Sequence, residues 1–271
     1  MRELKRTFVD LKDVQEGLQA AIELEMALIP PYLAALWSIK DRRSRAAQLV
    51  LNVVVEEMLH VALAANILNA IGGEPRLVGA DVVQTYPTEL PGQVQQGVLV
   101  GLRRCDRAQL EVFKQIETPE KPVRVERAAA GMQPVTVGQF YDGIAEKLEE
   151  LGPSIFTGDP GRQLRRWPTI GELRPVADLG DAKWAIETIK EQGEGASPYD
   201  PNDRDGELGH YYLFWEILEG REIVRRGRRW AFGGADIPFP ETYPVVDNPM
   251  EEAFPEGSQQ RALAVQFNKA Y

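Results

Sequence analysis

The chain spends two histidines in 271 residues, and each stands three residues after a glutamate, in Glu57-Met58-Leu59-His60 and in Glu207-Leu208-Gly209-His210. On a helix, positions i and i+3 share a face, so each pair aims one carboxylate and one imidazole at the same point. With glutamate at roughly a tenth of the residues, chance would produce both pairs about once in a hundred sequences. Two Glu-x-x-His helices set against two helices that bring one glutamate each form the ligand set of a di-metal carboxylate four-helix bundle. A chain built on this pattern must bury charged groups.

The flanking sequence supports burial. Leu18, Ile22, Ile29, Leu33 and Leu36 form a helical stripe over about 11–40 that passes through Glu25, while Glu23 is expected on the opposite, solvent side. Ser44 can cap a second helix over 44–71, whose stripe runs Val50, Val53, Glu57, His60, Ala64, Ile67, Ile71 and stops at Gly72-Gly73. A carboxylate and an imidazole in such a stripe cost on the order of several kcal/mol unless something compensates them. A turn near Asp41 to Arg43 leaves Glu25 about 15 residues before it and Glu57 to His60 about 15 after. Both then lie roughly 22 Å from the turn, at one level of an antiparallel pair. Pro30 and Pro31, one turn beyond Glu25, predict either a bulge that opens space beside the site or a helix that bends around the core.

Beyond Glu74 the pattern changes. Tyr86-Pro87 and Leu90-Pro91-Gly92 read as a loop crossing, helical patterns return at 106–116 and at 136–151 behind a Thr136 cap, and 118–134 and 152–179 read as irregular. A third bundle helix is expected over 181–195 and a fourth over 206–226, with Glu207, His210, Phe214 and Ile217 on one face and the Arg221 to Arg229 run as its solvated end. The tail, 231–271, reads as a Pro- and Gly-rich wrap with a short terminal helix. The expected fold is therefore all-α: a single domain, 1–271, with bundle helices at 11–40, 44–71, 181–195 and 206–226, a long insert, 74–180, and a coil-rich C-terminal wrap. Glu187, Glu191 and Glu194 share a face of the third helix, and any of them could complete a six-residue ligand set with Glu25, Glu57, His60, Glu207 and His210.

Composition excludes some functions. A net charge of −10 opposes nucleic-acid and anionic-membrane partners, and the longest apolar run, 61–71, is too short for a bilayer. The single Cys105 allows no disulfide framework, and with a polar N-terminus the expectation is a cytoplasmic protein. Oxygen-rich ligation with one imidazole per metal suits two iron ions, with manganese or a mixed iron/manganese pair as alternatives, better than structural zinc or calcium.

Leu24-Glu25, Ile29-Pro30-Pro31-Tyr32-Leu33, Glu56 to His60, Ala64-Ala65-Asn66, Asn69 to Gly73, Tyr86-Pro87, Leu90-Pro91-Gly92 and Gln192-Gly193-Glu194-Gly195 together resemble the ferritin-like domain of the iminophenyl-pyruvate dimer synthase family. That family includes enzymes that couple two imines of aromatic 2-oxo acids in violacein- and rebeccamycin-type pathways. The resemblance runs over most of the chain and implies a ferritin-like four-helix bundle with a metal site. Its Gln-Gly-Glu-Gly element favours Glu194 as the sixth ligand. Position along the helix agrees, because Glu194 and Glu207 lie close to the intervening Ser197-Pro198 loop while Glu187 would sit roughly 10 Å away along the axis; against Glu191 this reasoning is weaker. The Phe113 to Glu117 segment also resembles the family, so Glu117 joins Tyr32, Tyr141 and Tyr211 as candidate substrate-binding residues, although a surface carboxylate and core aromatics are the plain readings.

The function expected is an oxidase or oxygenase that uses dioxygen as co-substrate on a small, aromatic amino-acid-derived imine or related metabolite. A metal-storage protein and a non-catalytic bundle that partners a separate oxidase are the alternatives. The candidate partners are the small-molecule substrate, an amino-acid oxidase acting upstream and a second copy of the chain.

Overall fold

A computed structural model describes residues 7–79, 82–91, 97–119, 136–166, 173–197 and 199–270. Most of the expected irregular link, 120–134, together with Gly92 and Pro198 of the expected loops, lies outside the described residues.

Helix α1 (Leu11–Ser38) starts at Asp10, whose side chain accepts the Asp13 amide, and runs unbroken through Pro30 and Pro31. Pro31 cannot donate to the Ala27 carbonyl, and the Tyr86 hydroxyl takes that carbonyl instead at 2.7 Å. A loop residue thus meets the backbone deficit that Pro31 creates. Helix α2 (Arg45–Ala70), capped by Ser44, packs along α1, and the two stripes read in the sequence meet in the core. Both helices are long and apolar enough to cross a bilayer by composition, but most of each is buried inside the protein, so they are core helices.

Helix α3 (Arg107–Ile116) follows a short two-stranded sheet, β1 (Thr88–Glu89) with β2 (Leu99–Val100). Helix α4 (Val137–Leu151) opens with a capping box formed by Thr136 and Gln139, and α5 (Leu179–Glu194) with an Asp178 cap. The helices pack in a circuit, α1 on α2, α2 on α5, α5 on α4 and α4 on α1. The fourth wall is therefore α4, from the expected insert. Helix α6 (His210–Glu219), expected as that wall, has ten residues and packs on α2, α3 and α5. Tyr32, Phe113 and Phe214 form an aromatic wedge where α1, α3 and α6 meet.

The expected helix over 206–226 is corrected at both ends. Gly220, with φ +74, stops α6 in the left-handed conformation. The arginine-rich run is not a helix end but an antiparallel hairpin, β3 (Arg221–Arg226) with β4 (Arg229–Asp236), turning at Gly227. Ile223 and Trp230 bury against Tyr211, Tyr212 and Trp215 of α6, which explains the hairpin's position. The tail is thus coil only after β4, and it ends in α7 (Gln259–Ala270). Side-chain amides fasten the connecting segments to the long helices. Asn66 bonds the backbone of Leu164 in both directions and the Arg174 carbonyl, and Gln19 does the same with Arg76.

Candidate metal centre

Five buried or nearly buried residues from four places in the chain converge in the bundle. Glu25 comes from α1, and Glu57 and His60 from α2, at 3%, 1% and 2% exposure. Glu117 is the C-cap of α3, and His210 is the first residue of α6. Glu57 lies between the imidazoles, with one oxygen 3.4 Å from His60 Nδ1 and the other 3.0 Å from His210 Nδ1. The rings stack with centroids 5.5 Å apart. Two triads result, Glu25–Glu57–His60 and Glu57–Glu117–His210, and within each the ligand-type atoms lie within 4.8 Å of one another. Glu57 belongs to both.

Each triad is held from outside in the same way. Tyr141 donates to Glu25 at 3.1 Å, and Tyr32 donates to Glu117. His60 Nε2 meets the Gln192 side-chain oxygen at 3.0 Å, and His210 Nε2 meets a Glu56 oxygen at 2.8 Å. Because both outer partners are acceptors, each imidazole places a proton on Nε2 and turns Nδ1 toward Glu57. A Glu57 oxygen and His210 Nδ1 are nevertheless buried without an aligned hydrogen bond. Orphans of this kind cost about 1–3 kcal/mol each, and a cation between them would remove that cost. The donor set therefore fits a metal ion.

Protons take that role when metal is absent. Burial, then repulsion from Glu57 and Glu117, pushes Glu25 well above the usual carboxylate range. Burial would raise Glu57 too, but bonds and charges from His210 and His60 outweigh it and hold Glu57 well below that range. For His210, burial opposes the charged form, while the surrounding carboxylates of Glu117, Glu56 and Glu57 outweigh it and raise the imidazole well above its ordinary value.

Glu194 lines the same cavity, and its carboxylate accepts the Gly138 amide at 2.9 Å. A Cβ on Gly138 would sit 2.7 Å from that carboxylate, and a Cβ on Gly209 would sit 2.7 Å from the Gly195 nitrogen. Glycine at both positions is what lets the end of α5 and the start of α6 approach the centre. The cavity holds about 30 Å³, room for about two water-sized occupants. A cleft of about 320 Å³ shares its Gly138, Lys190 and Glu194 walls.

Several expectations need correction. Glu207 is exposed and lies outside the cluster, because α6 begins only at His210. Glu207 closes a turn in which its amide donates to the Asp203 carboxylate and its carbonyl accepts the Asp203 amide. The i, i+3 spacing there is not helical, and Glu117 stands in its place. Tyr32 and Tyr141 bond the carboxylates of Glu117 and Glu25. Tyr211 packs in the hairpin cluster with Trp215, Ile223 and Trp230. Glu23 is buried at 8% exposure, beside Gln19 and 3.6 Å from Arg76, rather than solvated. Of the three candidates on α5, only Glu194 lines the inner cavity, while Glu191 pairs with Arg204. Glu56 and Gln192 were missed. In the sequence Glu56 stands out only within the Glu56 to His60 segment of the resemblance, and Gln192 only within the Gln-Gly-Glu-Gly element.

Fold and cluster together define a helical bundle with a buried glutamate–histidine centre of metal-ligating type. The ferritin-like family model matches residues 18–219, and the chain belongs to that family. A dichlorochromopyrrolate synthase from Lentzea aerocolonigenes is 28% identical over 251 residues, which cover 82% of this chain and 23% of that protein, so the chain spans under a quarter of the relative it matches. The crystal structure of a ferritin like protein from Caulobacter vibrioides superposes with a TM-score of 0.67 at 24% identity, covering 96% of this chain and 83% of that one, which shows a shared fold.

Proposed function

We propose that the chain is a di-iron carboxylate oxidase or oxygenase that uses dioxygen to oxidise a small polar metabolite. The observation that carries this reading is Glu57 facing both imidazoles, flanked by Glu25 on one side and Glu117 on the other. Glu25, Glu57 and His60 would hold one ion, Glu57, Glu117 and His210 the other, and Glu194 lies within reach of the pair. Four glutamates balance two divalent cations, and one imidazole per ion in an oxygen-rich set suits iron or manganese. Bound iron would supply electrons and Lewis acidity toward dioxygen. The chain's own residues do the rest: Tyr32 and Tyr141 orient the flanking carboxylates, and the bundle excludes water.

The adjoining cleft favours an enzyme over a storage protein, since its size is that of a small-molecule site. Its lining includes Asp142, Glu187, Glu191 and Lys190 and, among the described residues, no aromatic side chain. A small polar substrate such as an aliphatic amino-acid-derived imine fits that wall better than an aryl one, and an amino-acid oxidase acting upstream would supply it. The synthase name of the Lentzea relative supports catalysis without assigning its product to this chain.

Anaerobic iron(II) titration with elemental analysis, followed by oxygen, tests the reading. The expected result is two iron ions per chain, lost in Glu57→Gln, with a spectral change on oxygenation. One ion or none per chain overturns it, and continued iron uptake well beyond two would favour storage.

A further inference from the structure

Around their imidazoles the two halves of the centre repeat the same kinds of contact. Each has an imidazole, a flanking carboxylate fixed by a tyrosine, and one oxygen of Glu57. The difference lies behind the imidazoles: His60 faces the neutral amide of Gln192, and His210 faces the carboxylate of Glu56. Both outer partners come from helices of the core, Glu56 from α2 beside Glu57 and Gln192 from α5 two residues before Glu194.

We propose that Glu56 and Gln192 are positioning residues that make the two metal subsites unequal, so that the His210 subsite binds first and more tightly. The inference rests on the two-metal reading above. An imidazole that donates Nε2–H to a carboxylate becomes a more basic ligand at Nδ1, because the anion stabilises the positive charge that the ring gains on giving its lone pair to a cation. An amide acceptor fixes the same ring orientation and tautomer but adds no full charge. Glu56 also places an extra negative charge near the His210 ion, beyond the shared carboxylates. Outer partners of this kind change metal affinity by about 10- to 100-fold, which sets the expected gap between the subsites.

Cobalt(II) titration of the whole chain at fixed pH, followed by visible absorption and calorimetry, reads this without any activity assay. The parent protein should bind two cobalt ions in resolved steps about 10- to 100-fold apart. His210→Ala should remove the tight step and His60→Ala the weak one. Glu56→Gln should weaken the tight step until the two merge, and Gln192→Glu should tighten the weak step. A gain from Gln192→Glu is a result that mere structural support would not produce. Two equal steps, or a tight step that survives both His210→Ala and Glu56→Gln, overturn the proposal and leave the two-metal reading standing. Absence of cobalt binding in the parent protein overturns both.

Discussion

Metal loading should expel protons, so the stability of the metal-free protein and the stabilisation that metal adds should change with pH in opposite directions. A ligand must be deprotonated to bind, and here His210 and Glu25 both hold protons more tightly than ordinary groups of their kind. Each proton displaced raises apparent metal affinity about tenfold, about 1.4 kcal/mol, per pH unit. For the metal-free fold the sign reverses. A group whose folded pKa lies above its unfolded value stabilises the fold below that unfolded value and loses the contribution as pH rises through the folded one. For His210 the loss begins above 6.5, and for Glu25 above 4.5. Glu57, held low, contributes the opposite slope but acts only below 4.5. Urea midpoints of the metal-free protein should accordingly fall between about pH 6.5 and 8, while the stabilisation added by metal grows over the same interval. Calorimetry at neutral pH in two buffers of different ionisation enthalpy should give different binding heats, because protons leave the site as metal enters. Binding heats that do not depend on buffer would refute the protonated cluster.

Other consequences can be checked separately. Glu117→Gln should weaken binding at the His210 side by more than about 100-fold, whereas Glu207→Gln should leave metal stoichiometry unchanged, as elemental analysis would show. Gly209→Ala forces a Cβ to 2.7 Å from the Gly195 nitrogen and should destabilise the fold by about 1–3 kcal/mol in denaturant melts. Glu216, buried behind the Ile223 amide, titrates near 7 because burial raises it, so the parent loses stability as pH climbs from 4.5 to about 7. Glu216→Gln should flatten that slope by on the order of 1–2 kcal/mol after allowance for solvent screening, read from urea midpoints at the two ends of the range.

The half of the centre carried by α1 and α2 was legible because its ligands sit in mid-helix, where a 3.6-residue stripe fixes which side chains point inward. Glu25, Glu57 and His60 each interrupt such a stripe, and equal distance from the turn put them at one level. The other half has no such period. Glu117 caps α3, Glu194 ends α5 and His210 begins α6, so each is placed by where a helix stops. Spacing misled at Glu207 because Gly209 caps α6 and the Asp203 turn supplies the preceding residues. The hairpin was hidden in the same way: the arginines of β3 and β4 suit a solvated helix end, and only burial of Ile223 and Trp230 against α6 decides for strands.

That division has a physical consequence for how the centre is held. Mid-helix ligands inherit the rigidity of two long, mutually packed helices, so Glu25, Glu57 and His60 have little freedom to follow a cation. Ligands at helix ends depend on how neighbouring backbones meet, and here those meetings are tight: Gly209 against Gly195, and the Gly138 amide on Glu194. The Tyr32, Phe113 and Phe214 wedge ties the end of α3 and the body of α6 to α1, directly behind Glu117 and His210. The long helices thus fix one triad, while glycine contacts and an aromatic wedge bring the second onto the shared carboxylate. Glu57 belongs to the rigid half and reaches both imidazoles, so the position of the second triad is referred to the first. This is how a bundle whose last ligand helix is only ten residues long can present a near-symmetric pair of sites.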